Sequence, residues 1–313
     1  MSNQNPYTVE RLSAANIADM AGLYISVYNK QVTPSFFEKK YDTKFTSVEY
    51  TGFLAYDAQR MPIAFYGVIP CFLKFGGEII VSAQSADTMT HPEHRNKGLF
   101  AELALTTFQL CRELNIRFLF GFPNQNSFPG FVNKLGWQVI HTMDCFVIRT
   151  GNFPGNRFFS NIPVLKSLYR RYQNRILNKY PVRQNEIGNS VFKDGFGGVY
   201  RDSNYLKYKT FTETYIVNTG KSTAWIKLSD ILLIGDAAVE ADDFDDMIYT
   251  LKRIAAKLGL KQIHFHASPG TTLHNLFAIR FKAINSFQVI FKILGEHMPP
   301  EEIKFTSADI DTF

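Results

Sequence analysis

The sequence predicts an α/β protein, with a mixed central sheet flanked by helices and two similar units in tandem. Three observations predict it. Short runs with a two-residue apolar period alternate with longer runs of helical period. The order of those runs in the first half returns in part in the second. The chain has 313 residues, enough for two cores of ordinary size. It is 45% hydrophobic and 20% charged, as an ordinary globular protein is, which excludes collagen-like, low-complexity and disordered classes.

Tyr7 to Leu12 reads as a short strand. Ala14 to Tyr28 follows as a helix, with Ile17, Met20, Leu23, Tyr24 and Val27 at helical spacing after a Ser13 cap. A second short helix after Pro34 carries Phe36, Phe37 and Tyr41. Phe53 to Tyr56 and Ile63 to Phe75 read as strands, and Gly76-Gly77 turns the chain into a further strand from Glu78 to Thr90. Leu99 to Leu114 is a strong helix, Arg117 to Pro123 a hydrophobic strand, Ser127 to Leu135 a short helix and Trp137 to Arg149 a closing strand.

Gly151 to Asn189 is a connector. It opens on glycine, proline and small polar residues, then shows the amphipathic pattern Ile162, Leu165, Leu168, Tyr169, Tyr172 and Ile176. Beyond it, Thr212–Asn218, Ala224–Lys227 and Ile231–Val239 read as strands. Phe244–Leu258 reads as a helix, Lys261–Ala267 as a strand, Thr271–Phe281 as a helix and Asn285–Leu294 as a strand. Gln-Val-Ile stands at 138–140 in the closing strand of the first half and at 288–290 in that of the second, which suggests a degenerate internal duplication. The expected domains are 1–150, a connector 151–189, and 190–313.

The net charge of +6 has an address. Gly151 to Asn185 contains no Asp or Glu but holds Arg157, Lys166, Arg170, Arg171, Arg175, Lys179 and Arg183. Positive charge confined to one segment argues against a nucleic-acid face spread over a domain. A basic amphipathic helix over 162–179 suits either packing across the domains or peripheral contact with a membrane surface or acidic partner. No run approaches the ~20 apolar residues of a spanning helix. Met1 to Arg11 lacks the pattern of a signal peptide, so a cytoplasmic address is expected. Cys71, Cys111 and Cys145 form no CxxC pair. His264 and His266 share a strand face without a third ligand at a recognisable spacing, so no metal is expected.

The chemistry concentrates in Thr88-Met-Thr-His-Pro-Glu-His-Arg-Asn-Lys-Gly-Leu-Phe100, between a strand and a strong helix. Arg95 and Lys97 put positive charge beside Gly98, where the backbone can approach a ligand closely. The helix that starts there offers unpaired N–H groups and the positive end of its dipole. Together these make a site for a phosphate or pyrophosphate. GxxxxGK[ST] and GxGxxG are both absent.

Here the sequence resembles the GNAT superfamily, the Gcn5-related N-acetyltransferases, whose signature is [RQ]-x-x-G-x-[GA] between the fourth strand and third helix. Arg95-Asn96-Lys97-Gly98-Leu99-Phe100 matches except at Phe100, where the family has a small residue. A second family pattern, an Asn after the fifth strand and then aromatic-x-x-K-x-G-[FW], is met by Asn126, Phe131, Lys134, Gly136 and Trp137. The resemblance covers about residues 7 to 150. It implies acetyl-CoA as co-substrate, in a V-shaped gap between the fourth and fifth strands. The backbone of Thr88, Met89 and Thr90 would pair with the pantetheine arm, N–H groups from Arg95 to Phe100 would hold the pyrophosphate, and Asn126 would stand near the thioester end. Phe100 adds bulk beside the pyrophosphate turn.

The tyrosine that many members use as general acid is replaced by Val132. A thiolate is a tolerable leaving group, so another donor or water would serve. Asp87, late on the fourth strand, is the candidate base or amine anchor. In the similar enhanced intracellular survival acetyltransferases the terminal carboxylate reaches the active site, which adds Asp309, Asp311 and the Phe313 carboxylate by analogy. The aromatic run Phe36, Phe37, Tyr41, Phe45 and Tyr50 falls where the family builds one wall of the acceptor site, or is core.

The second half has no Arg-x-x-Gly. Its corresponding junction, Val239-Glu-Ala-Asp-Asp-Phe-Asp, is acidic and would repel a pyrophosphate, so a single acyl-CoA site is expected. The expected reaction is acetyl transfer to the primary amine of a small molecule or peptide. The alternatives are a non-catalytic acyl-CoA-binding module and an aminoacyl transferase resembling the Fem enzymes.

Overall fold

The structure, a computed structural model, describes residues 7–151, 163–182, 187–295 and 298–313. Arg157, Ile162, Arg183 and the polar start up to Pro6 lie outside them, as do the side chains of Leu165 and Lys166. The chain divides into two compact units. Unit 1 is Met1–His141, Asn204–Phe211 and Gln288–Glu301, and unit 2 is Thr142–Ser203, Thr212–Phe287 and Glu302–Phe313.

Unit 1 holds β1 (Tyr7–Arg11), α1 (Ile17–Tyr28), α2 (Pro34–Tyr41), β2 (Gly52–Asp57), β3 (Pro62–Phe75), β4 (Glu78–Thr90), α3 (Leu99–Glu113), β5 (Phe118–Gly121) and the start of β6 (Gln138–Arg149). β1 to β4 pair antiparallel in order, and β5 lies parallel to β4. Gly76 and Gly77 both take positive φ (56° and 86°) in a two-residue hairpin that sets Phe75 opposite Glu78. β3 is buried on both faces, so its alternation divides two cores. Phe65 and Ile69 join Ile17, Met20, Phe37 and Tyr41, while Ala64, Tyr66 and Val68 join Leu99, Leu103 and Phe108. The expected helix at 127–135 is present over residues 128–135, with π geometry at Gly130–Lys134, and it buries Phe131 against Tyr66 and Trp137.

Unit 2 includes α4 (Pro163–Leu177), β7 (Gly198–Val199), β8 (Thr214–Asn218), β9 (Thr223–Leu228), β10 (Leu232–Ala238), α6 (Phe244–Lys257), β11 (Gln262–Ala267), α7 (Thr272–Arg280) and the start of β12 (Ala283–Ile293); the short α5 (Ser203–Tyr208) lies mostly in unit 1. β8, β9 and β10 pair antiparallel and β11 lies parallel to β10. The order β10–α6–β11 thus repeats β4–α3–β5. Ile176 and Leu177 of α4 are buried in this unit's core, and the Tyr169 and Tyr172 hydroxyls donate to the carbonyls of Leu258 and Lys257 at the end of α6. Leu168 stays exposed.

The units do not follow cuts at 150 and 189, because closing strands are exchanged. Residues 144–149 of β6 pair antiparallel with β11 in unit 2. Residues 290–293 of β12 pair antiparallel with β5 in unit 1. Among the described residues, no helix is long and apolar enough to cross a membrane.

Candidate active site

β4 and β5 pair only at Ala83 with Leu119 and Gln84 with Phe120. β5 then ends at Gly121 while β4 runs on to Thr90, so the strands part and the last residues of β4 pair with β3 alone. A bulge follows the point of parting. Between Phe65 and Gly67 on β3, β4 advances from Met89 to Ala86, one residue too many. Asp87 takes the strain, with φ 53° in the left-handed region. This gap is where the resemblance puts the pantetheine arm.

Beyond the gap, Pro92–His94 make a single 3₁₀ turn. Asn96 (φ 62°) and Gly98 (φ 85°) then turn the chain into α3. The Gly98 carbonyl accepts from Ala101 and Glu102, and no side chain caps the helix. The N–H groups of Leu99 and Phe100 are therefore unclaimed within the helix and point out of its start. A Cβ built on Gly98 meets nothing within 4 Å, so the ground in front of the loop is open. Arg95 and Lys97 are exposed beside it, with Arg95 Nε 3.4 Å from the Thr90 carbonyl. The arrangement fits a pyrophosphate.

Phe100 corrects one expectation. Its ring does not crowd the loop. It packs edge-on against Tyr66 and Phe131, with centroids 5.9 and 5.5 Å away, and over Gly130, where a Cβ would come 2.9 Å from the ring. The bulk is taken up by a glycine opposite. Asn126 is exposed after β5, and its N–H donates to the side chain of Asn124, which caps the turn.

Asp87 is not a free base. Its Oδ2 lies 2.6 Å from Lys40 Nζ and accepts from the Tyr41 hydroxyl at 3.1 Å. Lys40, at 3% exposure, is a buried lysine next to the exposed Lys39 on α2, and the sequence does not mark which of the two turns inward. Phe37 and Tyr41 are core, while Phe36 and Phe45 make edge contacts with Phe211 and Tyr205. Tyr28, at the end of α1, brings its hydroxyl 3.3 Å from the Thr88 carbonyl at the bulge. Burial and the Asp87 charge push that phenol's pKa up, so it stays protonated.

Unit 2 parts its parallel pair in the same way. β10 and β11 pair from Leu232 with Ile263 to Ile234 with Phe265, and β10 shifts register between Ile234 and Asp236. Here the chain fills its own gap. Thr306 bridges Ala267, Ser268 N–H donates to the Phe305 carbonyl, and the Phe313 ring lies over Gly235 and edge-on to Trp225. Asp309 is wholly enclosed, bound with Asp236 to Arg201. The Thr212 hydroxyl donates to Phe313 O and Lys227 to Thr312 O. Asp309 and Phe313 are thus parts of a plug, and half-buried Asp311 belongs to the same segment. A Cβ on Gly235 would stand 2.2 Å from the Phe313 ring. Gly235→Ala is expected to cost about 1–3 kcal/mol, read as a lower melting midpoint in thermal denaturation.

A second cluster escaped sequence reasoning. Cys145 faces His266 across β6 and β11, and one ligand atom from each of Cys145, His264 and His266 lies within 4.8 Å of the others. Cys145 comes from a strand 119 residues upstream of His264, whose partner could not be read from spacing.

No curated protein matches the chain in sequence. Among solved structures it is similar to a conserved protein of unknown function from Enterococcus faecalis V583, with TM-score 0.59, 14% identity, and 92% of this chain and 73% of that one covered. It is also similar to the GCN5-related N-acetyltransferase of Anabaena variabilis ATCC 29413 (TM-score 0.55, 14% identity, 92% and 73% covered). A third is that of Kribbella flavida (TM-score 0.55, 12% identity, 92% and 72% covered). At these identities the likeness is one of fold. Residues 8–140 match the family model of the acetyltransferase (GNAT) domain, and they hold the parted strands and the loop at Gly98, so this part of the chain is a GNAT domain.

Proposed function

We propose that the GNAT domain transfers the acetyl group of acetyl-CoA to a primary amine by direct attack on the thioester. The observation that supports this best is the end of β4, left unpaired on its β5 side, followed by an uncapped helix start with open space before Gly98. The pantetheine arm would add to β4 as a strand, and the pyrophosphate would take the N–H groups of the loop. The amine nitrogen bonds to the carbonyl carbon, and backbone N–H groups of β4 hold the oxyanion. The C–S bond then breaks and the CoA thiolate takes a proton.

An alkyl amine is neutral in only about one part in a thousand near pH 7.4, so reaching the neutral form costs ~4 kcal/mol, which a base relieves. Asp87, fixed between Lys40 and Tyr41, enters as the anchor of the bulge and of the acceptor's ammonium end, with water carrying the proton away. With Val132 in the usual place of the acid, the Tyr28 phenol beside Thr88 is the proposed donor to the thiolate. Unit 2 is read as a degenerate copy, its gap plugged by residues 305–313 and its helix start flanked by Asp242, Asp243, Asp245 and Asp246. That leaves one acyl-CoA site.

Calorimetric titration with acetyl-CoA, followed by CoA release across a panel of amines, tests the proposal. Micromolar binding with amine-dependent release is expected, and a wild-type chain that binds no acetyl-CoA overturns it. Val132 favours one other reading, an acyl-CoA-binding module without turnover, which binding without release on any amine would support. Tyr28→Phe is expected to lower kcat about 10-fold or more and leave acetyl-CoA affinity within about twofold. An unchanged kcat would assign the proton to water.

A further inference from the structure

We propose that Cys145, His264 and His266 form a binding site for a divalent cation of the zinc type, separate from the acyl-CoA loop and independent of the reading given to it. The geometry follows from strand pairing. Alternation on β11 puts His264 and His266 on one face. Antiparallel register sets Cys145 directly opposite His266, and Val147 opposite His264, so the thiol lies across from one ring and diagonal to the other. The three ligand atoms lie within 4.8 Å of one another. Around tetrahedral zinc, such N···N and N···S separations are about 3.3–3.6 Å, so closing the site takes roughly an ångström of side-chain movement.

The shell behind the ligands is also built. His266 Nδ1 lies 2.6 Å from Ser286 Oγ and His264 Nε2 lies 2.9 Å from Gln262 Oε1. Each imidazole is thus held at one nitrogen by a side-chain oxygen, which fixes its orientation and leaves the other nitrogen for a metal. The thiol is buried and the rings are half-buried, which leaves a fourth position for water or an incoming ligand. One thiolate and two imidazoles select a borderline-soft ion, zinc or its spectroscopic substitute cobalt, over magnesium or calcium. Binding ties β6 to β11 and releases the thiol proton.

The test uses the untagged, reduced full-length chain and cobalt(II), then zinc(II), as the only additions. One equivalent of cobalt is expected to give a thiolate-to-metal charge-transfer band that one equivalent of zinc removes. Zinc is expected to raise the melting midpoint. Cys145→Ser abolishes the band, whereas Cys71→Ser keeps it. His264→Gln and His266→Gln each weaken zinc by about 100-fold, and Ser286→Ala by about tenfold. Circular dichroism of each metal-free variant checks its fold, and the two histidine variants carry the test should Cys145→Ser not fold. A wild-type chain without the band, or a band that survives in Cys145→Ser, overturns the proposal.

Discussion

Gly98→Asp is expected to weaken acetyl-CoA binding by about 100-fold or more in calorimetric titration, a loss of about 2.7 kcal/mol. Two effects combine. Gly98 has φ 85°, where a residue with a Cβ pays about 1–2 kcal/mol. The new carboxylate would also stand among the N–H groups and beside Arg95 and Lys97, where the pyrophosphate needs positive potential. Two unit charges about 5 Å apart repel by roughly 3 kcal/mol at an effective dielectric of 20. Because the Cβ meets nothing within 4 Å, the fold is expected to stand. Gly98→Ala isolates the strain and is expected to weaken binding only several-fold. Aspartate that binds like the parent would remove the loop from the site.

Arg201→Met is expected to destabilise unit 2 by about 3–5 kcal/mol, measured by thermal or denaturant unfolding. Arg201 is fully enclosed and holds both Asp236 and Asp309, with Thr306 as a further acceptor of its Nη2. Methionine replaces the stem but leaves two carboxylates facing each other without water or a cation. The deficit should depend on pH. Burial already pushes the Asp309 carboxyl above its ordinary range, against the pull of Arg201. Without the arginine it rises further, so the folded state binds protons that the unfolded state releases. Stability then falls as pH rises through that elevated pKa, and the deficit is smaller at about pH 5 than at about pH 8. Adding Asp236→Asn and Asp309→Asn should return part of the loss. A deficit that ignores pH would mean that the two carboxylates are not what the arginine restrains.

The loop from Arg95 to Phe100 was legible because its residues act through the backbone. A glycine, two cations and a helix start need no partner from elsewhere in the chain. The hairpin at Gly76-Gly77 and the strand and helix order were legible for the same reason. What pairs with what was not. Gln-Val-Ile at 138–140 and at 288–290 marks two similar strands, yet a two-residue period names a face and never a neighbour, so the exchange of β6 and β12 left no trace in either. The Asp87–Lys40 pair, the plug at 305–313 and Cys145 beside the histidines all depend on distant segments meeting. Phe100 read as added bulk beside the turn because sequence shows volume without direction.

The exchanged strands also set a schedule for folding. β5 ends at Gly121, yet the strand that covers it runs to Ile293, so about 170 residues must follow before that edge is paired. During synthesis the first half would wait with an open hydrophobic border, and closing it completes both halves almost together. Genetic truncation near residue 150 would carry the same exposed border permanently.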